Sequence, residues 1–177
     1  MRRVQAGDLD LLSVLYARHH TRLRAFLFRI HGDGAVVDDL VQTVFLRILR
    51  HRDRFAGRGS FAAWMYRIAR NSALDWLKSE GLRQTNPLPE GYREPRDPGP
   101  DAEQAAHNRE RRNILANAFG RLSRNEREIL ALSKVEGLTG REIATVLGCT
   151  TGAVKVRVFR AMQELRRQVR MDNGEQP

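Results

Sequence analysis

Apolar residues recur along this chain at intervals of three and four, which is the periodicity of an amphipathic helix. The alternation that is typical of a β-strand is hard to find. The spacing predicts helices over residues 9–30, 34–52 and 60–79, and a fourth helix over 101–120. In the first helix the apolar stripe consists of Leu11, Leu12, Leu15, Tyr16, Leu23, Phe26 and Leu27. The pattern therefore predicts an all-α fold.

Short polar motifs predict where the later helices begin and end. They add a fifth helix that begins at Ser123 and is ended by Gly137, and a short sixth from Thr139 to Gly148. A long seventh helix follows and extends to about residue 171. The capping residues are Ser123 with Glu126, Thr139 with Glu142, Thr150 or Thr151 for the seventh helix, and Ser60 for the third. The short sixth helix, the turn and the long seventh helix have the proportions of a helix-turn-helix.

Proline and charge divide the chain into three parts. Five of the six prolines, together with a net charge of −2, fall within residues 81–108, whereas residues 1–80 and 109–177 each carry +6. A segment of this composition has little to bury and favours a linker. We therefore predict two small helical domains, 1–80 and 109–177, joined by a flexible linker over 81–108.

The net charge of +10 on 177 residues indicates a polyanionic partner such as nucleic acid, unless the protein is simply basic throughout. One cysteine, Cys149, excludes a disulfide framework and favours a reducing compartment. No apolar stretch is long enough to cross a bilayer, so we expect a soluble, cytoplasmic protein without membrane insertion. The five histidines lack metal-ligand spacing, and no nucleophile–base pair or carboxylate cluster is evident. We therefore expect no metal, no cofactor and no enzyme activity.

The seventh helix carries an unusual outward face. Val154, Val158, Ala161 and Leu165 share its inner side, and the opposite side presents Gly152, Val156, Phe159, Arg160 and Gln163, with Lys155 at the edge. Exposed apolar groups beside Lys and Arg suit a helix in the DNA major groove. The alternative is that Phe159 packs on a neighbouring helix. Thr139 and Arg141, near the start of the preceding helix, are candidates for phosphate contacts.

Two features of the N-terminal half point to further contacts. In the second helix Val37, Leu40, Val41, Val44 and Ile48 form the core stripe, and the other side carries Asp39, Gln42, Thr43, Leu46 and Leu49. Apolar Leu46 and Leu49 among polar groups indicate a protein-contact patch. In the third helix the pattern places Tyr66, Arg67 and Arg70 on the outer side, with Asn71 at its border. Rings, guanidinium groups and amides suit single-stranded nucleic acid, although core aromatics flanked by solvated arginines explain the pattern equally well.

Two long strings resemble a known family. The run from Asp39 to Leu46, followed by the run from Phe61 to Asn71, resembles region 2 of bacterial RNA polymerase sigma factors. The string from Leu122 to Leu165, which includes Glu126 to Leu130 and Glu136 to Ala144, resembles region 4. Two such domains with a short linker are similar to the extracytoplasmic-function group. The resemblance covers nearly all of residues 9–170.

The resemblance implies a transcription initiation factor whose partners are core RNA polymerase and promoter DNA. It implies docking on the polymerase clamp helices through Asp39, Leu40, Gln42, Thr43, Leu46 and Leu49, although the family usually has Glu where this chain has Thr43. It implies melting of the −10 element and trapping of a flipped base by a pocket formed from Arg58, Gly59, Ser60, Phe61 and Asn71. It implies reading of the −35 element by Thr151, Lys155, Val156, Phe159 and Arg160, with Arg157 and Arg141 on phosphates. The linker would run toward the RNA exit path, and an anti-sigma factor is a possible further partner.

One rival interpretation is a helix-turn-helix regulator that acts without polymerase. Such regulators share a similar Leu-Thr-x-Arg-Glu-Ile pattern, which stands here from Leu138 to Ile143. They usually carry a sensory or dimerising N-terminal domain, whereas residues 34–76 carry the sigma pattern instead. The expected function is therefore promoter-specific initiation, with the stand-alone regulator as the alternative.

Overall fold

Every regular element in the part of the chain that the structure describes is helical. The structure is a computed structural model, and it describes residues 1–57, 59–79 and 102–172, without the side chains of 102–108. The helices are α1 (Arg2–Gln5), α2 (Leu11–His31), α3 (Gly34–Arg50), α4 (Phe61–Ser79), α5 (Ala102–Gly120), α6 (Arg124–Leu130), α7 (Gly140–Leu147) and α8 (Thr151–Asp172), with a 3₁₀ turn at Arg52–Arg54. The predicted all-α fold is confirmed within these ranges.

The later helices begin and end where the local chemistry predicts. The Ser123 and Thr139 side chains accept hydrogen bonds from the Glu126 and Glu142 amides. In return, the carboxylate of each glutamate accepts a hydrogen bond from the backbone N–H of the capping residue. Gly148 ends α7 in the left-handed region at φ 65°, where a Cβ would be strained. Both capping boxes are thus confirmed.

The N-terminal domain is built from α2, α3 and α4, which pack on one another around a shared apolar core. The core stripe predicted for the second helix is buried at all five positions. One element was missed: α1 is only four residues long, yet Val4 is fully buried and the Gln5 amide donates hydrogen bonds to the carbonyls of Arg52 and Phe55. The prediction that Tyr16 belongs to the inner stripe of the first helix is wrong, because its side chain is 42% exposed.

The C-terminal domain is built from α5 to α8, and α7 and α8 form the helix-turn-helix. Helix α6 continues into a π turn at Ala131–Val135, where the Glu136 amide donates to the carbonyl of Ala131, five residues earlier. The chain then leaves the helix at Gly137, whose φ is 68°. The predicted fifth helix therefore has its expected length but contains one residue more than a regular helical repeat would hold.

The two domains pack directly against each other. Helix α2 contacts α6, and α4 contacts α7, so that buried residues of both halves form one apolar cluster. Residues 81–101 of the predicted linker lie outside the described residues, and its last part, 102–108, belongs to α5. The proposed domain boundaries remain a prediction.

Candidate nucleic-acid interface

Helix α8 presents the outward face that its sequence predicts. Val154 and Ala161 are buried, whereas Val156 and Phe159 are 49% and 61% exposed. Thr151, Gly152, Lys155, Arg157, Arg160 and Gln163 are exposed as well. The alternative in which Phe159 packs on a neighbouring helix is therefore wrong for the described part of the chain. Two apolar side chains stand in water amid cations, as a groove-reading helix requires.

The start of α8 is fixed by the turn that precedes it. The Thr150 hydroxyl accepts a hydrogen bond from the Ala153 amide at 3.2 Å, which makes Thr150 the N-cap. Buried Val154 then anchors the first turn of α8 on the rest of the domain. Because both ends of this first turn are held, the exposed side chains that follow lie on a rigid element.

The start of α7 combines a cation with a carboxylate. Arg141 is exposed and free to approach a phosphate. The Thr139 hydroxyl is engaged in the capping box with Glu142, so it is already used within the protein. Hydrogen bonds from the Ser60 hydroxyl and from Thr139 hold the pKa of Glu142 below its ordinary value. Arg141 is therefore the phosphate candidate at this site.

The predicted −10 pocket lies at the start of α4. Gly59 has a φ of 89°, a conformation that favours glycine, and the Ser60 hydroxyl caps α4 by accepting from the Ala63 amide at 3.2 Å. Phe61 is half-buried, with its ring 5.2 Å from His19 and 6.2 Å from Trp64. Arg58 lies outside the described residues. The loop and Phe61 thus sit at one end of α4.

Farther along α4, the predicted outer face is split. Arg67 and Asn71 are exposed, as expected. The prediction that Tyr66 faces outward is wrong: the side chain is 2% exposed and its ring packs edge-on against Phe26 at 4.8 Å. Its hydroxyl donates to Glu136 Oε2 at 2.5 Å. Burial, followed by the negative charge of Glu136, raises the pKa of Tyr66, so the phenol stays protonated.

Arg70 also faces the C-terminal domain. Its Nε lies 2.8 Å from Glu128 Oε1, and the two side chains are 24% and 8% exposed. Glu136 lies near a second guanidinium, with Oε1 3.9 Å from Arg29 Nη1. Burial raises the pKa of both Glu128 and Glu136, because removing a carboxylate from water disfavours its charged form.

Sequence reasoning missed one residue that joins the domains. Arg127 is 1% exposed, its Nε donates to the carbonyl of Arg29 at 2.7 Å, and its Nη1 donates to the carbonyl of Leu122 at 2.8 Å. Desolvation lowers the pKa of Arg127 to about 10. Its position was the available signal, since it precedes buried Leu130 and Ala131 by three and four residues and so shares their face.

The predicted polymerase-docking side of α3 is mostly open. Asp39 and Gln42 are exposed, Leu46 is 62% exposed, and Thr43 and Leu49 are half-buried. Leu40 differs, because only 4% of it is exposed and it packs in the core. Tyr16 of α2 lies beside this surface, with its ring 4.9 Å from Phe45 and stacked on His20.

Within residues 1–57, 59–79 and 102–172, none of the helices combines the length and the apolar character needed to span a membrane. Among the same residues, no group of three or more His, Cys, Asp or Glu side chains is arranged to hold a metal ion.

Two family models match the chain in the order of its domains. The model for sigma-70 region 2 matches residues 15–83, and the model for sigma-70 region 4 matches residues 112–165. The first match covers α3, α4 and all but the first four residues of α2, and the second covers α7 and the first 15 residues of α8. The matched segments therefore contain both halves of the candidate interface.

Relatives match along nearly the whole chain. The RNA polymerase sigma factor CarQ of Myxococcus xanthus is 33% identical over 166 residues, which is 94% of this chain and 93% of that protein. The ECF RNA polymerase sigma-E factor of Escherichia coli K12 is 29% identical over 182 aligned positions, covering 99% of this chain and 92% of that protein.

Solved structures with the same fold include CnrH in complex with the cytosolic domain of CnrY, at 26% identity and a TM-score of 0.67, covering 97% of this chain and 95% of that one. The sigma factor RpoE of Bartonella quintana, in complex with the anti-sigma factor NepR, has 24% identity and a TM-score of 0.66, covering 95% and 99%. The second likeness shows the fold alone. Because both sigma-70 family models match in chain order and the two relatives match over 94% and 99% of this chain, the chain belongs to the extracytoplasmic-function group of RNA polymerase sigma factors and is a dissociable subunit for promoter-specific transcription initiation.

Proposed function

We propose that α8 reads the −35 element in the major groove of duplex DNA. The exposure of Phe159 and Val156 beside Lys155 and Arg160, on a helix anchored by Val154, is the observation that carries this proposal. Apolar groups meet thymine methyls, and Arg or Lys reads guanine. Thr151 joins this reading face. Arg157 and Arg141 are exposed cations at its flanks and contact phosphates.

The N-terminal domain opens the −10 element and holds a flipped base of the non-template strand. The loop of Arg58, Gly59 and Ser60 leads into Phe61, and exposed Arg67 and Asn71 lie farther along α4. Tyr66 and Arg70 complete the set, although both lie against the C-terminal domain in this structure. Extruding a base costs a few kcal/mol, which stacking and hydrogen bonds to its edge offset.

The outer side of α3 docks on the clamp helices of core polymerase. Leu46 is its most exposed apolar side chain, and Asp39, Gln42, Thr43 and Leu49 surround it along the helix. Leu40 supports this surface indirectly, because its side chain packs in the core and anchors α3. Because each DNA-binding domain is small, simultaneous attachment to polymerase raises the effective concentration of both at a promoter.

The protein works in the cytoplasm, where it joins RNA polymerase, and it has no catalytic activity of its own because the polymerase catalyses RNA synthesis. An anti-sigma factor that covers the exposed faces of α3 and α8 is a further proposed partner, supported by the exposed apolar side chains Leu46 and Phe159.

Reconstitution tests the proposal. The purified full chain is added to core RNA polymerase and genomic DNA of the same bacterium, and transcript 5′ ends are sequenced. We expect a small set of starts that share −35 and −10 sequences and that depend on the protein. If core plus protein starts no specific transcript, while the protein alone footprints duplex DNA, the chain acts as a stand-alone regulator instead.

A further inference from the structure

The short N-terminal helix α1 lies against the segment that leads into the candidate −10 pocket. It contacts α2 and the 3₁₀ turn at Arg52–Arg54, and the chain runs from that turn to α4. We call residues 55–57, 59 and 60 of this connection the pocket loop. The family model for region 2 begins at residue 15, so α1 precedes the matched segment. The helix therefore adds a contact from outside that segment.

Helix α1 is held in place by packing and by a short turn. Its four residues are too few for a helix that is stable by itself. Val4 is fully buried, and Met1 is half-buried against the apolar core. After the helix, the chain turns through Gly7, and Arg3 Nη2 lies 2.7 Å from Asp8 Oδ2. The side chains of α1 therefore have fixed positions relative to the pocket loop.

Gln5 of α1 bonds directly to the start of the pocket loop. Its Nε2 donates to the carbonyl of Phe55 at 2.7 Å and to the carbonyl of Arg52 at 2.8 Å. The Arg52 carbonyl also accepts from the Phe55 amide at 3.2 Å. Both hydrogens of the Gln5 amide group are thus used. One side chain joins the first residue of the turn to the first residue of the loop.

A second side chain of α1 lies over the middle of the loop. Gly57 has a φ of 66°, and a Cβ at this position would lie 3.4 Å from Nε and from Nη2 of Arg2. Gly59 follows with a φ of 89°. Glycines lose more backbone freedom on ordering than other residues do, so a loop with two of them is costly to fix in one conformation. Contacts from outside the loop offset that cost.

We propose that Gln5 is a positioning residue for the −10 pocket, and that α1 holds the pocket loop in the conformation that receives the flipped base. This inference rests on the proposed −10 pocket and adds a specificity determinant outside it. A pocket that is formed only part of the time binds in proportion to that fraction, whereas a preformed pocket avoids this loss. Gln5 acts through the carbonyl of Phe55 and the loop backbone that follows it.

The first experiment uses holoenzyme reconstituted with the full-length chain. Run-off transcription is measured on a promoter mapped by reconstitution and on templates in which each −10 or −35 base pair is replaced in turn. The yield ratio of intact to replaced template gives a −10 and a −35 discrimination. The test variant is Gln5→Glu, which keeps the shape of the side chain but removes its N–H donors. Gln5→Ala removes the donors without adding a charge, and it takes the place of Gln5→Glu if that variant does not fold.

We expect Gln5→Glu to reduce the −10 discrimination by about 2-fold to about 10-fold, because one hydrogen bond of ordinary strength shifts an equilibrium by that factor. The −35 discrimination should not change, since α8 reads that element. Arg3→Ala is the matched control on the same helix, because it removes only the exposed pair with Asp8; both discriminations should equal those of the wild type. Val37→Ala controls for stability, since it weakens the core of the same domain and should leave both discriminations unchanged.

The second experiment measures the loop in the free full-length protein. Hydrogen–deuterium exchange, followed by mass spectrometry of peptides, should be faster in the pocket loop of Gln5→Glu than in the wild type. The amides of α4 should exchange at wild-type rates in the same variant. Arg3→Ala should match the wild type in both segments. Circular dichroism checks that every variant keeps its helical content.

The outcomes distinguish this inference from the proposed function. Equal −10 discrimination, or equal loop exchange, in the wild type and a folded Gln5 variant would overturn the positioning role, even if holoenzyme still opens its mapped promoters. An equal fall in the −10 and −35 discriminations would overturn it as well, because α1 would then only stabilise the domain. If wild-type holoenzyme shows no preference at any −10 base pair, the proposed pocket itself fails, whatever the Gln5 variants do.

Discussion

Replacing Arg160 by alanine isolates base reading by α8. The side chain is exposed, and in the described part of the chain it makes no salt bridge that its loss would break. Alanine is the best helix former, so the variant should fold as stably as the wild type. The whole effect is therefore expected in DNA recognition.

The size of that effect follows from one good base contact. A bidentate contact from Arg to guanine discriminates by about 1–3 kcal/mol. This range corresponds to a loss of about 5-fold to about 150-fold in use of the cognate −35 sequence, since 1.4 kcal/mol is about tenfold. On a template whose recognised base pair has already been changed, Arg160→Ala should cost little more.

The assay is run-off transcription by reconstituted holoenzyme on a promoter set in which each −35 base pair is replaced in turn. Arg157→Ala is the matched control, because Arg157 is also an exposed cation on the same helix. Because Arg157 is proposed to contact a phosphate, Arg157→Ala should weaken use of all templates alike. It should also reduce the slope of log affinity against log salt concentration by about 1. An equal loss on every template with Arg160→Ala would refute its role in base reading.

Three further predictions concern other parts of the molecule. Leu46→Glu should lower the affinity for core polymerase at least tenfold and leave the thermal unfolding temperature unchanged, because Leu46 is exposed. Co-elution with core polymerase measures this affinity, and Met171→Glu, at another exposed apolar residue, is the control. An unchanged affinity would contradict the proposed docking face. Ile143→Ala should lower the free energy of unfolding by about 2–5 kcal/mol in urea titrations, because Ile143 is 1% exposed, and a loss below about 1 kcal/mol would mean that this part of the core closes around the smaller side chain. Hydrogen bonds from Arg167 and Gln168 lower the pKa of Glu164 to about 2. The stabilisation from the Glu164–Arg167 pair should therefore be present above about pH 4.5 and be lost as the pH falls toward 2, and it should be small because the pair is exposed. The unfolding temperatures of the wild type and of Glu164→Gln should converge over that range. A difference of the same size at pH 2 would contradict the lowered pKa of Glu164.

Local chemistry predicted much of the fold. Helix periods and capping boxes act over three to five residues, so Ser123, Thr139 and Gly148 mark their helix ends without reference to the rest of the chain. The reading face of α8 could be predicted for the same reason, since Val154 and Ala161 define its inner side by periodicity alone.

The wrong prediction for Tyr66 and the unpredicted helix α1 have a common physical cause, which is contact between segments that are distant in the sequence. Tyr66 packs its ring on Phe26 of its own domain, and its hydroxyl donates to Glu136, which lies 70 residues later. Helix α1 is too short to show a period, and it is held by bonds from Gln5 to carbonyls about 50 residues away. The periodicity of one helix carries no information about a second domain that packs on its outer side.

The π turn at Ala131–Val135 makes the number of residues in this segment as important as their identity. An α-helix advances about 100° per residue, so a single deletion here would swing Glu136 by about that angle, away from Tyr66 and Arg29. A chain that kept every side chain named above but lost this one residue would carry the same groups in a different phase. Divergence between relatives at this point is therefore better measured as a gap in length than as a change of side chain.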